Sequence, residues 1–303
     1  MSSRLHTITG AFGYSGQSIA RVLLDRGEAV RNVTGHPGRS DPFGGRVETR
    51  RLDFGDADAL RRALEGTTVL YDTWWVRFAH GDRSHARAVA SLEALFAAAR
   101  DVGVERVVHV SITNPSLDSP LPYFSGKARV EEALRASGLS YAILRPAVFF
   151  GGRDVLLNNI AWLLRRLPVF GLVGGGYGLR PIHVEDFAAL AVAEGERRED
   201  VIRDAVGPDA FTFEELVRRI ARAVGSRARI VRVAPWALAA ASAVTGWIVG
   251  DVPLTRDEIA GLTGGLLESP GPATGAIRLG EWLDAHGPEL GREWASELGR
   301  HFR

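Results

Sequence analysis

Cysteine is absent from the 303 residues, so the chain carries no disulfide, no thiolate nucleophile and no Cys-ligated metal site. An excess of charge of one sign is also missing. Against 36 acidic residues stand 37 basic ones, a formal net charge of +1, and no electrostatic footprint for nucleic acid or an anionic membrane stands out in the chain as a whole. A bilayer span wants about 20 apolar residues; "APWALAAASAVTGWIVG" (234–250) is apolar but short of that and rich in Ala and Gly. It predicts a buried or interface helix rather than a span, with peripheral membrane contact as the other reading. The first residues, "MSSRLHTITG", lack the basic and apolar regions of a leader, which predicts a cytoplasmic protein. Lysine is nearly absent: Lys127 is the single one, and all other permanent positive charges are arginines.

What is present is an ordinary globular composition, 46% hydrophobic and 24% charged, in a chain long enough for one large or two smaller domains. Its first half alternates short apolar runs with amphipathic helical patterns. "LHTIT" (5–9) precedes a helix near 15–26, followed by "AVRNVT" (29–34). "VETRRLD" (47–53) precedes a helix near 56–65, and "TTVLYD" a longer one near 83–102. "RVVHVS" (106–111), a helix near 124–137 and "YAILRP" (141–146) complete the series. Strands separated by crossover helices predict an α/β protein with a doubly wound parallel sheet, whose ligands sit at the carboxyl ends of the strands. This gives a nucleotide-binding domain over 1–150. A smaller, mostly helical substrate-side domain follows over 151–303, with "VIRDAV" (201–206) able to return a strand to the sheet. Within the second half Asp186 reads as the cap of one helix and Thr212 as the opening of another that ends at Gly225.

"TITGAFGYSG" sets Gly10, Gly13 and Gly16 between the first strand and the first helix. A glycine turn there lets backbone approach a pyrophosphate, and the amides of Tyr14 and Ser15, with Phe12 beside them, face it from a helix N-terminus. This implies a dinucleotide. No acid follows the second strand before Asp41, so a free 2′-hydroxyl lacks its usual partner; Arg39, with Arg31 or His36 as alternatives, suits a 2′-phosphate. NADP(H) is therefore preferred over NAD(H). Asp53 and Phe54 suit the edge and face of an adenine, or are a solvated carboxylate beside a core ring. Thr73 ends the fourth strand region near the same edge.

Ser111 closes the fifth strand, and "YFSGK" places Tyr123 and Lys127 four apart on one helix face. A free tyrosine, with a pKa of about 10, is a weak acid–base at neutral pH; a nearby ammonium stabilises phenolate and moves it toward the working range. A compact lysine can do this and also bond ribose hydroxyls, which the planar arginine fork cannot. The alternative is an exposed Lys127–Glu131 pair worth a few tenths of a kcal/mol, a role arginine would fill equally well. With five tyrosines, a lone lysine falls four residues after one by chance about 2% of the time, which favours the site reading. No metal is expected: His80 and His85 lack a ligand pattern, and His183 reads as structural.

Together "TGAFGYSG", Ser111 with "YFSGK", and "LRPAVFFGG" (144–152) resemble the short-chain dehydrogenase/reductase superfamily, in its extended or atypical branch of NAD-dependent epimerases/dehydratases and NAD(P)-binding Rossmann proteins. The likeness spans roughly 5–225 and extends to complex I accessory-subunit-like and NmrA-like proteins. It implies Gly10, Gly13, Tyr14, Ser15 and Gly16 at the pyrophosphate, Asp53 and Phe54 at adenine, and Lys127 at the nicotinamide ribose, with Pro146 through Phe149 along the nicotinamide. Tyr123 would be general acid/base and Ser111 would hold the substrate oxygen during hydride transfer to or from a small carbonyl or alcohol. "VEDFA" (184–188) resembles the branch's second-domain signature. The chain departs at "YDTWWVRF", where Trp74 or Trp75 could roof a substrate pocket or be core indoles, and at Gly35, where a basic residue is expected. Asn158 or Asn159 could reach substrate, or their helix simply packs over the cleft. The implied activity is oxidoreductase, with epimerase or dehydratase chemistry using the same step. The rival is a non-catalytic redox sensor or accessory subunit, in either case a monomer or homodimer.

Overall fold

Apolar runs that are buried on both faces suit the middle of a parallel sheet, and here they occupy it. The structure, a computed structural model, describes residues 4–296 apart from 80, 82, 253 and 254. The chain opens with β1 (Leu5–Thr9), α1 (Tyr14–Asp25), β2 (Ala29–Thr34), β3 (Glu48–Arg51), α2 (Ala57–Leu64) and β4 (Val69–Asp72). It continues with α3 (His85–Asp101), β5 (Arg106–Val110), α4 (Pro122–Ala136) and β6 (Ser140–Pro146). The second half supplies β7 (Phe149–Phe150), α5 (Leu156–Arg166), β8 (Val169–Leu172), β9 (Gly178–Leu179), β10 (Ile182–His183), α6 (Val184–Glu196) and β11 (Val201–Ala205). Last come β12 (Phe211–Thr212), α7 (Phe213–Ala223), β13 (Arg229–Arg232), α8 (Pro235–Val249), α9 (Arg256–Thr263) and α10 (Leu279–His286).

The chain divides into two compact units that are not sequential halves. The first takes residues 1–146 and 184–205, the second 147–183 and 206–303. In the first, seven parallel strands stand in the order β11-β6-β5-β4-β1-β2-β3. The sheet is doubly wound, as expected, and the direction of winding reverses between β1 and β4. At such a switch point the connections after neighbouring strands diverge and leave a crevice at their carboxyl ends. Leu60, Leu64, Leu92, Leu95, Val130 and Leu134 from α2, α3 and α4 pack on Leu70, Val107 and Ile143 of the strands, while α1 and α6 pack together. The segment read as 201–206 is the edge strand β11, in register with β6 from Val201–Ala142 to Ala205–Pro146.

The second unit has its own core, in which Leu157, Ile160 and Leu164 of α5 meet Leu216, Val217 and Ile220 of α7. Thr212 caps α7 through a reciprocal pair with Glu215, and Gly225 follows at φ +66°, so both ends of that helix lie where capping chemistry sets them. Asp186 is not a cap: α6 starts at Val184, and Glu185 and Asp186 stand in its first turn, where carboxylates complement the helix dipole. Nor is α8 a core helix. Ser242 is its sole buried residue, and Trp236 and Trp247 are 76% and 87% exposed. Its large apolar side chains therefore stay largely uncovered. Among the described residues no helix is long and apolar enough to cross a membrane.

Candidate functional site

The site is built at the carboxyl ends of β1, β4 and β5 in the first unit. After β1 the chain turns at Gly10, whose φ of +79° suits glycine, and re-enters α1 at Gly13. A Cβ on Gly16 would lie 2.3 Å from the Gly10 carbonyl oxygen, so α1 sits closer to the turn than any side chain allows. The loop is pinned from β2, where the Asn32 side chain accepts from the Ala11 amide at 2.8 Å. Gly13 leaves the α1 N-terminus without a side-chain cap, and its first turn holds no acid. An uncapped helix start beside a bare backbone turn is a cradle for phosphate, and these residues fit a dinucleotide.

Thr9 ties that cradle to β4. Its hydroxyl donates to Asp72 Oδ1 at 3.0 Å and accepts from the amides of Thr73 (2.8 Å) and Trp74 (3.0 Å), while Thr73 Oγ1 donates to the Thr9 carbonyl at 2.5 Å. Asp72 and His109 are register partners on β4 and β5, and His109 Nδ1 donates to Asp72 Oδ2 at 2.7 Å. Burial holds His109 below its ordinary pKa, which keeps the imidazole neutral with its proton facing the carboxylate. Both side chains are fully buried.

Lys127 is buried too, 2% exposed. Its Nζ donates to the Val110 carbonyl at 2.6 Å, where β5 ends, and stands 4.4 Å from the centre of the Trp75 ring. Burial lowers its pKa to about 8, against the pull of Asp72 and Glu131. The exposed Lys127–Glu131 pair does not form. Glu131 is itself buried and accepts from Ser111 Oγ at 2.5 Å and from Arg145 Nε at 2.9 Å, with Arg145 Nη2 on its other oxygen. Asp72, Glu131, Lys127 and Arg145 thus gather two charges of each sign beneath the strand ends.

Trp75 joins the lysine to the tyrosine. The Tyr123 ring meets it edge-on at 6.0 Å and meets His85 at 5.8 Å. Trp75 lies against α4 because Gly126 has no Cβ; one built there would be 3.2 Å from the indole. Trp74 turns the other way and packs on Phe54 at 4.6 Å, both rings resting on the core. Asp53 accepts from the Gly55 amide at 3.0 Å. Phe12 contacts Phe43 at 6.2 Å, and Tyr14 and Ser15 open α1. Beyond β2, partial burial and the neighbouring Arg39 and Arg83 guanidiniums hold His36 below its usual pKa, so three basic groups cluster there. Arg31 is not among them: its guanidinium is buried on Glu48 (2.8 Å) and the Glu65 carbonyl (2.6 Å).

Pro146 closes β6 in the first unit, whereas Phe149 opens β7 in the second. Asn158 and Asn159 serve the second unit's own backbone. Asn158 bonds Gly152, Asp154 and Gly291, and Asn159 bonds both polar groups of Ala295. His80 lies outside the described residues, and among those described no cluster could hold a metal ion. Sequence reading missed Thr9, Asp72, His109, Arg145 and Gly126, and met Glu131 only as an alternative partner of Lys127. The visible signal was polar residues inside otherwise apolar strand runs, Asp in "VLYD" and His in "RVVHV".

A doubly wound sheet with a glycine-lined turn at its switch point defines a dinucleotide-binding protein. Residues 10–155 match a family model described as NAD(P)H-binding. Ceramide reductase of Caulobacter vibrioides is 30% identical over 258 residues, covering 79% of this chain and 77% of that one. The mitochondrial NADH dehydrogenase (ubiquinone) 1 alpha subcomplex subunit 9 of Arabidopsis thaliana is 28% identical over 272 residues, 84% of this chain and 66% of the subunit. The chain belongs to the NAD(P)H-binding family, the relationship to which its motifs pointed. In fold it is similar to the NADPH-dependent quinone oxidoreductase of Escherichia coli, with a TM-score of 0.75 at 21% identity over 92% of this chain and 99% of the other.

Proposed function

We propose that the protein is an NADP(H)-preferring oxidoreductase of the short-chain type, acting on a small carbonyl or alcohol, with Tyr123 as general acid/base. A bound nicotinamide supplies the two-electron donor and acceptor; the chain supplies the proton and the geometry. The observation that carries the reading is the burial of Lys127, the single lysine, one helical turn from Tyr123. A buried ammonium opposes folding unless it is paired, and here it holds its place through one carbonyl and one indole face. A positive charge favours the phenolate form of a nearby tyrosine, and this is the role proposed for Lys127 toward Tyr123. The Ser111 hydroxyl donates a hydrogen bond to Glu131, and in the proposed role it would redirect that donor to a substrate oxygen. The grouping of His36, Arg39 and Arg83 beyond β2 supports the 2′-phosphate preference. The likeness to a ceramide reductase supports reduction as the physiological direction.

The second reading, a subunit that holds a dinucleotide without using it, is favoured by the likeness to the Arabidopsis subunit. The two separate on Tyr123→Phe. With NADPH and a panel of ketones and quinones, the variant is expected to lose about a hundredfold or more in kcat while NADPH binding stays intact. Equal turnover by wild type and variant would overturn the acid/base role. Tight NADPH binding with no turnover of any carbonyl would favour the second reading.

A further inference from the structure

Large apolar side chains that remain exposed are concentrated in one part of the second unit. Nine are exposed among the described residues, and seven of them are Leu167, Val169, Val231, Trp236, Val244, Trp247 and Ile248. Four of these lie on α8. At 100° per residue Trp236 and Trp247 fall within about 20° of each other, Val244 beside them and Ile248 at the stripe's edge. The opposite side carries Ser242, the one buried position. The strand pair leading into the helix continues the patch: Val169 is the register partner of Arg229, and Val231, two residues on, shares that face. Pairing persists to the Val233 amide on the Leu172 carbonyl, and α8 begins at Pro235.

The charge along the stretch of chain that leads into this patch is one-sided. Residues 216–250 hold six arginines and no acid, although the whole chain is almost neutral. Arg218 and Arg232 share Glu214. Arg222, Arg227 and Arg229 are exposed and make no ion pair among the described residues. Within α8 itself there is no charged residue. Its 15 residues span about 22 Å, too short for a hydrocarbon core of roughly 30 Å but suited to lying flat in a headgroup layer. Tryptophans near both ends, on one face, match the amphipathic depth of that layer, where an indole has apolar and polar surroundings at once. A protein groove would take the apolar stripe but leaves the unpaired arginines unexplained; an anionic bilayer surface takes both.

We infer that α8 and the adjoining face of β8 and β13 dock on an anionic membrane surface, with Trp236 and Trp247 inserted among the headgroups and Arg222, Arg227 and Arg229 facing lipid phosphates. This places the protein peripherally at a membrane and is independent of the chemistry proposed for the first unit.

The test is flotation of the full chain with phosphatidylcholine vesicles made with and without phosphatidylglycerol, with tryptophan emission read alongside. The expected result is flotation and a blue-shifted emission with phosphatidylglycerol, both weakened by salt. Trp236→Ser with Trp247→Ser should abolish flotation; both indoles are solvent-exposed, so circular dichroism and NADPH binding should match wild type. Each of Arg222→Ser, Arg227→Ser and Arg229→Ser should weaken binding about fivefold, the equivalent of roughly 1 kcal/mol per basic residue. Absence of flotation with either vesicle, or unchanged flotation of the double tryptophan variant, would overturn the inference. So would a dimer that Trp247→Ser dissociates and that ignores vesicles, since a second copy would then be the occupant.

Discussion

Replacing Lys127 with methionine, which keeps the length of the side chain and removes its charge, tests the central feature of the site. Burial lowers the ammonium from 10.5 to about 8. At about 1.4 kcal/mol for each tenfold change, this is roughly 3 kcal/mol working against folding when the group is charged. Below pH 8 both the folded and unfolded chains carry the charge, and that opposition is complete. Between about 8 and 10.5 the folded chain releases the proton first, the unfolded chain binds more protons, and wild-type stability rises with pH. Lys127→Met lacks that rise. Its own losses are the donor to the Val110 carbonyl, about 1–3 kcal/mol, and the contact with Trp75, up to about 2 kcal/mol. The two sides nearly balance near neutral pH, so the sign of the difference there decides little. The trend decides: relative to wild type, the variant should lose about 3 kcal/mol of stability as pH is raised through this window. Urea unfolding of both proteins across that range, without cofactor, measures it. A difference that stays flat would refute the claim that Lys127 is buried as an ammonium. Because it is the single lysine, selectively labelled lysine also gives one amine resonance whose titration midpoint should fall near 8. The variant should have lost oxidoreductase activity even where its stability equals wild type.

Glu131→Gln leaves Arg145 and Ser111 without their carboxylate and should destabilise the fold by about 2 kcal/mol, below the range for fully buried pairs because Arg145 reaches solvent. It should also move the Lys127 midpoint below about 8, since Glu131 raises it; an unchanged resonance midpoint would count against the coupling. Gly16→Ala places a methyl 2.3 Å from the Gly10 oxygen. It should lower stability by roughly 1–3 kcal/mol and remove the rise in Tm caused by NADPH; an intact rise would show that the turn is not the phosphate cradle. Arg39→Ser with Arg83→Ser should weaken NADPH binding and leave NADH binding unchanged, as read by titration calorimetry, and equal losses for both would sink the 2′-phosphate assignment.

Local pattern was enough to read the first half of the molecule. Short apolar strand runs and helices of period 3.6 are properties of a dozen residues at a time, so the winding of β1 to β6 was legible in the order of the chain. The glycine turn was legible for the same reason, being a strand end, a positive-φ turn and a helix start within ten residues. Tyr123 and Lys127 share a helix face by spacing alone. That spacing also offered Glu131 as an alternative partner of Lys127, and spacing could not show where that carboxylate goes. Arg145 on β6 and Ser111 at the end of β5 reach Glu131 once α4 is laid across the sheet, and they take the carboxylate the lysine would have had. Asp72 and His109 are 37 residues apart and become partners through the register of β4 with β5. The Asn158 amide, free in the sequence, is taken up by backbone groups from two loops. Period and spacing thus determined the elements and the faces they present, because those depend on near neighbours. Tertiary structure decided which buried charge meets which, and which apolar helix stays uncovered, because strand register and layer packing bring together groups whose separation along the chain carries no pattern.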